Sequence, residues 1–176
     1  KPKVKEVGIT FYNFQNYGLQ FNIGNGTNMW RFRALNGGIS IGNRSVGDPT
    51  NPNRTTETLS SSLSVSIGRE RRKEIAASLK FVYGIELSGN HNYYRSTTLN
   101  GDKNKSHQFS GGIIGVFGIR YNINERFYAN AELLPSAMIH FGANGSTNST
   151  YFGGTNQAFS FGFGNNSALL SFGIKF

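Results

Sequence analysis

The sequence predicts an all-β fold, an eight-stranded antiparallel up-and-down transmembrane β-barrel. Apolar side chains recur at every second position in successive runs, which is the period of a strand rather than of a helix. No apolar run approaches the roughly 18 residues that a transmembrane helix requires. The polar connections between runs alternate between short and long, as they do in transmembrane barrels. The chain of 176 residues is expected to form one domain.

Eight runs carry the alternation, and each is expected to form one strand of the barrel. In chain order they are residues 7–11, 17–23, 30–41, 60–67, 78–88, 109–123, 127–141 and 159–174. In the run 127–141, for example, the odd-numbered residues are apolar, whereas the even-numbered ones include Asn130, Glu132 and His140. The connection between the first two runs is expected to be only Gln15 and Asn16, which is short for an outer loop.

Two of these strands change the parity of their apolar face midway. The third changes at residues 36–38, and the last changes at Asn165 and Asn166. A β-bulge inserts one residue and so accounts for such a change, and Gly and Asn tolerate its backbone. The rival interpretation of Asn165 and Asn166 is a hairpin turn. We reject it because it gives nine strands and places the turn at residues 124–126 on the wrong side.

The short connections, at residues 25–28, 69–74 and 124–126, are predicted to be periplasmic turns. The long ones, at residues 43–58, 89–106 and 143–156, are predicted to be external loops. Lys1 is interpreted as the start of a processed chain, and residues 1–6 as a periplasmic N-terminal extension of the single domain 1–176.

The chemistry of the two strand faces indicates that lipid, not water, lies outside. The polar face is mostly Ser, Gly, Asn and Gln, which suits the crowded interior of a narrow barrel. The apolar face of the central strands carries no charged residue, as a lipid-facing wall requires. A soluble barrel would instead present a densely charged surface. Aromatic residues near strand ends are expected in the interfacial girdles: Tyr17, Trp30, Tyr121 and Tyr151.

Four segments resemble the small outer-membrane β-barrel proteins of Bacteroidota, of the eight-stranded OmpA and OmpX kind. They are SIGRERRK at 66–73, KFVYGIEL at 80–87, GIRYNINERF at 118–127 and LSFGIKF at 170–176. The last strand carries its apolar face on Leu170, Phe172, Ile174 and Phe176, and this ending resembles the signal that the assembly machinery of that family reads. The resemblance implies the barrel fold and a location in the bacterial outer membrane. It implies no activity.

Charged residues of the polar faces are expected to meet inside the barrel. They are Arg31, Arg33, Lys80, Glu86, Arg120, Glu132 and Lys175. Because an eight-stranded barrel is just wide enough to be filled by side chains, these groups are expected to form a paired network that plugs the lumen. Arg120 and Glu132, on adjacent strands, are expected to meet. The alternative is a narrow anion-preferring pore, since five basic groups face two acidic ones.

The sequence thus favours a non-enzymatic barrel, either a free-standing scaffold or a structural, accessory subunit of an outer-membrane complex. A lipid-A-modifying barrel enzyme is a second alternative. Its candidate residues would be His91, His107 and His140, but the only aspartates, Asp48 and Asp102, fall in expected loops. No nucleophile arrangement and no metal-ligand spacing stands out, so no catalytic, cofactor or metal site is expected.

The expected partners are outer-membrane lipid and lipopolysaccharide, with a larger outer-membrane barrel or a lipoprotein as a candidate protein partner. The turn predicted at residues 69–74 would serve either as a lipid-headgroup anchor or as a docking point through Arg69, Arg71, Arg72 and Lys73. The formal net charge of +9 could indicate nucleic acid. The basic residues are scattered, however, and no nucleic-acid-binding module is recognisable, so no nucleic-acid partner is expected.

Overall fold

The computed structural model describes residues 3–12, 16–45, 55–97, 103–146, 155–162 and 168–176. The described residues form ten β-strands and no helix. The strands are β1 (Val4–Tyr12), β2 (Asn16–Gly24), β3 (Asn28–Ser45), β4 (Thr55–Ala76), β5 (Leu79–Thr97), β6 (Lys103–Asn122), β7 (Phe127–Leu133), β8 (Ser136–Ser146), β9 (Thr155–Gly162) and β10 (Ala168–Lys175). In this part of the chain there is accordingly no helix long and apolar enough to cross a membrane.

The sheet closes on itself. Strands β1 to β7 pair antiparallel in chain order, and β10 pairs with both β7 and β1. The closed ring therefore passes through eight strands: β1, β2, β3, β4, β5, β6, β7 and β10. Two backbone hydrogen bonds join β1 to the residue that follows β10, from Lys5 N to Phe176 O at 3.1 Å and from Phe176 N to Lys5 O at 2.9 Å. The expected all-β barrel fold is confirmed.

Two of the expected strands are each divided in two. Both β7 and β8 pair with β6, and they are separated only by Leu134 and Pro135. Strands β9 and β10 pair antiparallel with β8 and β7 respectively, so β9 and β10 run in the same direction. A hairpin at Asn165 and Asn166 would make them antiparallel, and the pairing therefore supports one interrupted strand. Those two asparagines themselves lie outside the described residues.

The parity change in β3 is a β-bulge, as predicted. Leu35 pairs with Ser64 and Gly38 pairs with Ser62, so two residues of β3 stand opposite one residue of β4. The extra residue shifts the outward face from even to odd numbers, and both Phe32 and Ile41 are exposed as a result.

Two predicted boundaries are wrong. Residues 69–74 are not a turn, because β4 continues through them to Ala76 and the turn lies at Ala77 and Ser78. The alternation of apolar and polar residues is not visible in this segment, because the outer face of the strand carries Arg and Lys instead of apolar residues. The predicted N-terminal extension, residues 1–6, is also too long, because β1 already begins at Val4 and Glu6 is fully buried.

The long hairpins reach further than expected at the loop end of the barrel, the end opposite the turns at residues 25–27, 77–78 and 123–126. Residues 43–45, 55–58, 89–97 and 103–106 were predicted to be loop, but they belong to β3, β4, β5 and β6. By contrast, Tyr12 pairs with Asn16, so the β1–β2 hairpin is short. In the described part of the chain, the wall beyond this hairpin consequently lacks two strands. Within the described residues, Gly38–Ser45 of β3 pairs only with β4, and β9 pairs only with β8.

Candidate functional site

The outer wall of the ring is apolar and its interior is charged. Along β1, for example, Val7 and Ile9 are exposed, whereas Glu6 and Thr10 are completely buried. The same alternation places large exposed apolar side chains on all the ring strands, including Leu19, Phe32, Ile67, Ile85, Ile119, Phe127 and Phe172. Among the described residues, eight charged ones are buried in the interior: Glu6, Arg31, Arg33, Glu70, Arg72, Glu86, Arg120 and Glu132.

Arg31 lies at the centre of this cluster, on β3. Its guanidinium contacts three carboxylates from three other strands, those of Glu70 at 2.5 Å, Glu86 at 2.8 Å and Glu132 at 2.7 Å. The side chains of all four residues have no exposed surface. A charge taken out of water is tolerated when it is paired with an opposite charge, and each of these four buried charges has such a partner.

Glu6 is the second centre, on β1. It accepts two hydrogen bonds from Arg72, both at 2.8 Å, and two from Arg120, at 2.7 and 2.9 Å. Arg72 also donates to Glu70, at 2.5 Å, which links this group to Arg31. Paired N–H donors of a guanidinium match a carboxylate in geometry, so these bonds also fix the register of the strands that carry them.

Arg33 extends the chain of ion pairs towards the loop end. It donates to Glu86, which also accepts a hydrogen bond from Ser66 at 2.8 Å, and to the hydroxyl of Tyr12 at 3.2 Å. Four arginines thus alternate with four glutamates, and their formal charges cancel. We call these eight residues the Arg–Glu network.

Amide side chains, one lysine and an apolar cluster complete the filling of the ring. Asn22 donates to Glu6 at 3.1 Å, and Arg31 donates to Gln20 at 3.3 Å, so β2 is included. Lys175 on β10 is half-buried and donates to Asn122 at 2.8 Å. A buried apolar cluster lies in the same interior, formed by Tyr12, Val82, Val116, Leu134 and Leu169.

The structure brings together most of the lumen residues expected from the sequence. Arg31, Arg33, Glu86, Arg120 and Glu132 are all in the Arg–Glu network, while Lys80 and Lys175 are half-buried at the turn end. The expected contact between Arg120 and Glu132 is wrong, because Arg120 binds Glu6 and Glu132 binds Arg31. The five-to-two count of basic over acidic groups was also wrong.

Three network residues were missed: Glu6, Glu70 and Arg72. Each had the parity of the inward face of its strand, so the signal was present in the sequence. The sequence pattern does not predict them as lumen residues, because it places Glu6 in an extension and Glu70 and Arg72 in a turn.

The other candidate residues lie outside the lumen or apart from one another. Leu170, Phe172, Ile174 and Phe176 are exposed on the outer wall, and so are Arg69, Arg71 and Lys73. The rings of His91 and His107 stack at a centroid distance of 5.8 Å, and His140 Nε2 lies 2.9 Å from Ser160 Oγ. Within the described ranges, no group of three or more His, Asp or Glu residues could hold a metal ion. Asp48, Asp102 and Tyr151 fall outside those ranges.

No protein-family model matches this sequence, and no curated protein matches it. Among solved structures, the barrel is similar to a major outer membrane protein from Thermus thermophilus, with a TM-score of 0.53 and 10% sequence identity over 99% of this chain and 98% of that one. Acinetobacter baumannii CarO matches with a TM-score of 0.37 and 10% identity over 98% and 96% of the two chains. The second likeness is too weak to carry an argument.

The fold is therefore that of a bacterial outer-membrane β-barrel. Its apolar wall around a charged interior is the arrangement that a transmembrane barrel requires, because the outer face meets hydrocarbon. Barrels of this fold lie in the bacterial outer membrane, with their short turns in the periplasm.

Proposed function

We propose that this protein is a non-enzymatic, non-conducting barrel that acts as a structural or accessory subunit of an outer-membrane complex. The observation that carries the proposal is the Arg–Glu network, which fills the cross-section of the ring with buried side chains. The resemblance of the sequence to small Bacteroidota barrels of the OmpA and OmpX kind also supports a non-conducting barrel, since such barrels have an interior filled by side chains.

The network opposes conduction for two reasons. An ion path needs continuous water, whereas the side chains of Arg31, Glu70, Glu86 and Glu132 have no surface that water can reach. The four arginines and four glutamates of the network also cancel in charge, so the excess of basic groups on which the anion-preferring pore rested is confined to Lys80 and Lys175 at the turn end.

The subunit role is supported by the incomplete wall at the loop end. Two strand edges, Gly38–Ser45 of β3 and Thr155–Gly162 of β9, have no second neighbour within the described residues. Unpaired backbone groups at a sheet edge are a template for a strand from another chain. At membrane depth they must be covered by protein or line a water-filled space, because lipid cannot hydrogen-bond to them.

Planar-bilayer recording tests the closed lumen. The refolded barrel should give no steady conductance, and lipid A from cells that express it should have an unchanged mass. A stable anion-selective current would overturn the non-conducting proposal, and modified lipid A would overturn the non-enzymatic one.

Photo-cross-linking in cells tests the subunit role. A photoreactive residue at Gln157, on the free edge of β9, should capture a companion protein that also co-purifies in mild detergent. The same residue at Gln108 should not, because β6 is bonded to β5 and β8 on its two sides there. If position 157 captures nothing and the barrel purifies alone, the protein is a free-standing scaffold and the subunit role is wrong.

A further inference from the structure

Three cations of β4 lie on the lipid-facing wall of the barrel. Arg69, Arg71 and Lys73 alternate with the buried Glu70 and Arg72, so all three point outward and are exposed. In the described part of the chain, no acidic side chain forms an ion pair with any of them. We call these three residues the outer cation row.

The outer cation row lies near the level at which the wall ends. The backbone N–H of Arg72 donates to the carbonyl of Thr27, at 2.8 Å, in the turn between β2 and β3. Arg71 is therefore level with that turn, and Arg69 lies two residues nearer the membrane centre. Since unpaired charge in mid-bilayer is costly, this position suits the headgroup layer of the turn-end leaflet.

Aromatic side chains flank the row on both neighbouring strands. Trp30 stands opposite Arg69, with the guanidinium carbon 5.1 Å from the ring centroid. Tyr83 stands opposite Arg71, and Phe81 stands opposite Lys73. Trp and Tyr prefer the membrane–water interface, so the flanking residues independently indicate the same depth.

Two pockets lie on the outer wall at and beside the row. One, of about 440 Å³, is lined by Arg69, Arg71, Tyr83 and Phe117. The other, of about 730 Å³, has Phe32, Ala34, Val65 and Ile67 on its walls. Phe32 and Ile67 lie on the same face as Trp30 and Arg69, two residues along each strand, which is about 6.5 Å. The apolar groove therefore begins about two residues from the cationic pocket, nearer the membrane centre.

We propose that these two pockets form a binding site for one phospholipid of the periplasmic leaflet. Its phosphate lies between Arg69 and Arg71 with Lys73 nearby, and an acyl chain lies in the groove over Ala34. Arginine guanidinium groups bind phosphate oxygens through paired N–H donors. Glu70 also lines the cationic pocket, but its buried carboxylate is paired with Arg31 and Arg72, so the donors of Arg69 and Arg71 stay available. An anionic headgroup such as phosphatidylglycerol is favoured over zwitterionic phosphatidylcholine, because three cations face it. The site is independent of whether the lumen conducts and of any protein partner.

The test counts lipid on the full chain purified in detergent. Native mass spectrometry should find one phosphatidylglycerol per barrel during titration, and weaker binding of phosphatidylcholine. The variant Arg69→Gln/Arg71→Gln should bind phosphatidylglycerol roughly 25-fold more weakly, at about five-fold for each cation. The matched control is Lys5→Gln/Arg126→Gln, which removes two exposed cations at the turn end but away from the pockets. All the substituted side chains are exposed, so folding, checked by circular dichroism, should not change.

A second arm separates a lipid from free phosphate. Ala34→Phe should fill the groove and weaken phosphatidylglycerol binding, and excess inorganic phosphate should not displace the lipid. If inorganic phosphate displaces it and Ala34→Phe has no effect, the site is one for free phosphate and the lipid proposal is wrong. The proposal is equally overturned if Arg69→Gln/Arg71→Gln binds phosphatidylglycerol as well as its control does.

Discussion

At the scale of single residues, Tyr128 shows how the narrow interior is packed. Its ring lies beneath the guanidinium of Arg120, with the guanidinium carbon 3.5 Å from the ring centroid. The ring also covers Gly173 of β10, where an added Cβ would lie 2.3 Å from Tyr128 Cζ. Gly8, which pairs with Gly173, would place a Cβ 3.1 Å from the Tyr128 hydroxyl. Glycine is therefore required at position 173 by the close approach of a buried aromatic ring.

Gly173→Ala should destabilise the barrel by about 1–3 kcal/mol, because the methyl group would displace Tyr128 from a closely packed site. Gly89→Ala is the matched control, since nothing lies within 4 Å of its added Cβ, and it should change stability by less than about 0.5 kcal/mol. Denaturant unfolding in detergent, followed by the fluorescence of the single tryptophan, measures both. Equal stabilities for the two variants would contradict the packing of Tyr128 on Gly173.

At the scale of elements, the strand formed by β9 and β10 could be predicted only in part. Its parity change was recognised from the sequence, and so was its continuity. Between Gly162 and Ala168 five residues intervene, whereas only two separate their partners Ser136 and Leu133 on the neighbouring strand. The strand therefore has three more residues than its partner at this point. Any odd number of extra residues reverses the parity, so the sequence pattern could not show whether one residue or three are inserted.

Cysteine cross-linking distinguishes the interrupted strand from a hairpin. The chain has no cysteine, so two introduced cysteines are the only thiols that a cross-linker can join. Ile139→Cys/Phe159→Cys should be joined by a short thiol cross-linker, because these residues are register partners on β8 and β9. A hairpin centred on Asn165 and Asn166 would keep this pair and would in addition join Phe161→Cys to Leu170→Cys. Gel mobility after cross-linking detects both bonds, and a bond in the second pair would refute the interrupted strand.

At the scale of the whole molecule, the Arg–Glu network connects strands that are far apart in sequence. Arg31 and Glu132 are separated by 101 residues, and Arg120 and Glu6 by 114. The network and its amide and lysine neighbours include side chains from all eight strands of the closed ring. Its ion pairs are therefore expected to form only when the ring is complete.

Arg31→Met should reduce the free energy of unfolding by about 3–5 kcal/mol, because it leaves buried carboxylates short of a partner. Glu132 is affected most, since its other described partner is Asn130, at 3.3 Å. Adding Glu132→Gln to Arg31→Met should therefore restore part of the loss. Arg126→Met, which removes an exposed cation from a turn, should have little effect. Denaturant unfolding provides the measurement, and a loss below about 1 kcal/mol for Arg31→Met would show that the network does not stabilise the fold.

The sequence alone determined the class of fold, the facing of most strands and the charged character of the interior. These features follow from the two-residue period of a strand, which is a local property that can be read from neighbours such as Val7, Ile9 and Phe11. The sequence also determined the bulge in β3, because the change of parity is visible in the order of the residues.

Only the tertiary structure decided which charges pair, where β4 ends, and that the wall formed by the described residues is complete only near its turn end. Partner choice depends on the stagger between strands, which a single strand does not encode: Glu132 binds Arg31 across the lumen rather than Arg120 on the adjacent strand. The outer cation row was hidden for the same reason, because only pairing with β3 and β5 shows that residues 69–73 lie on the wall.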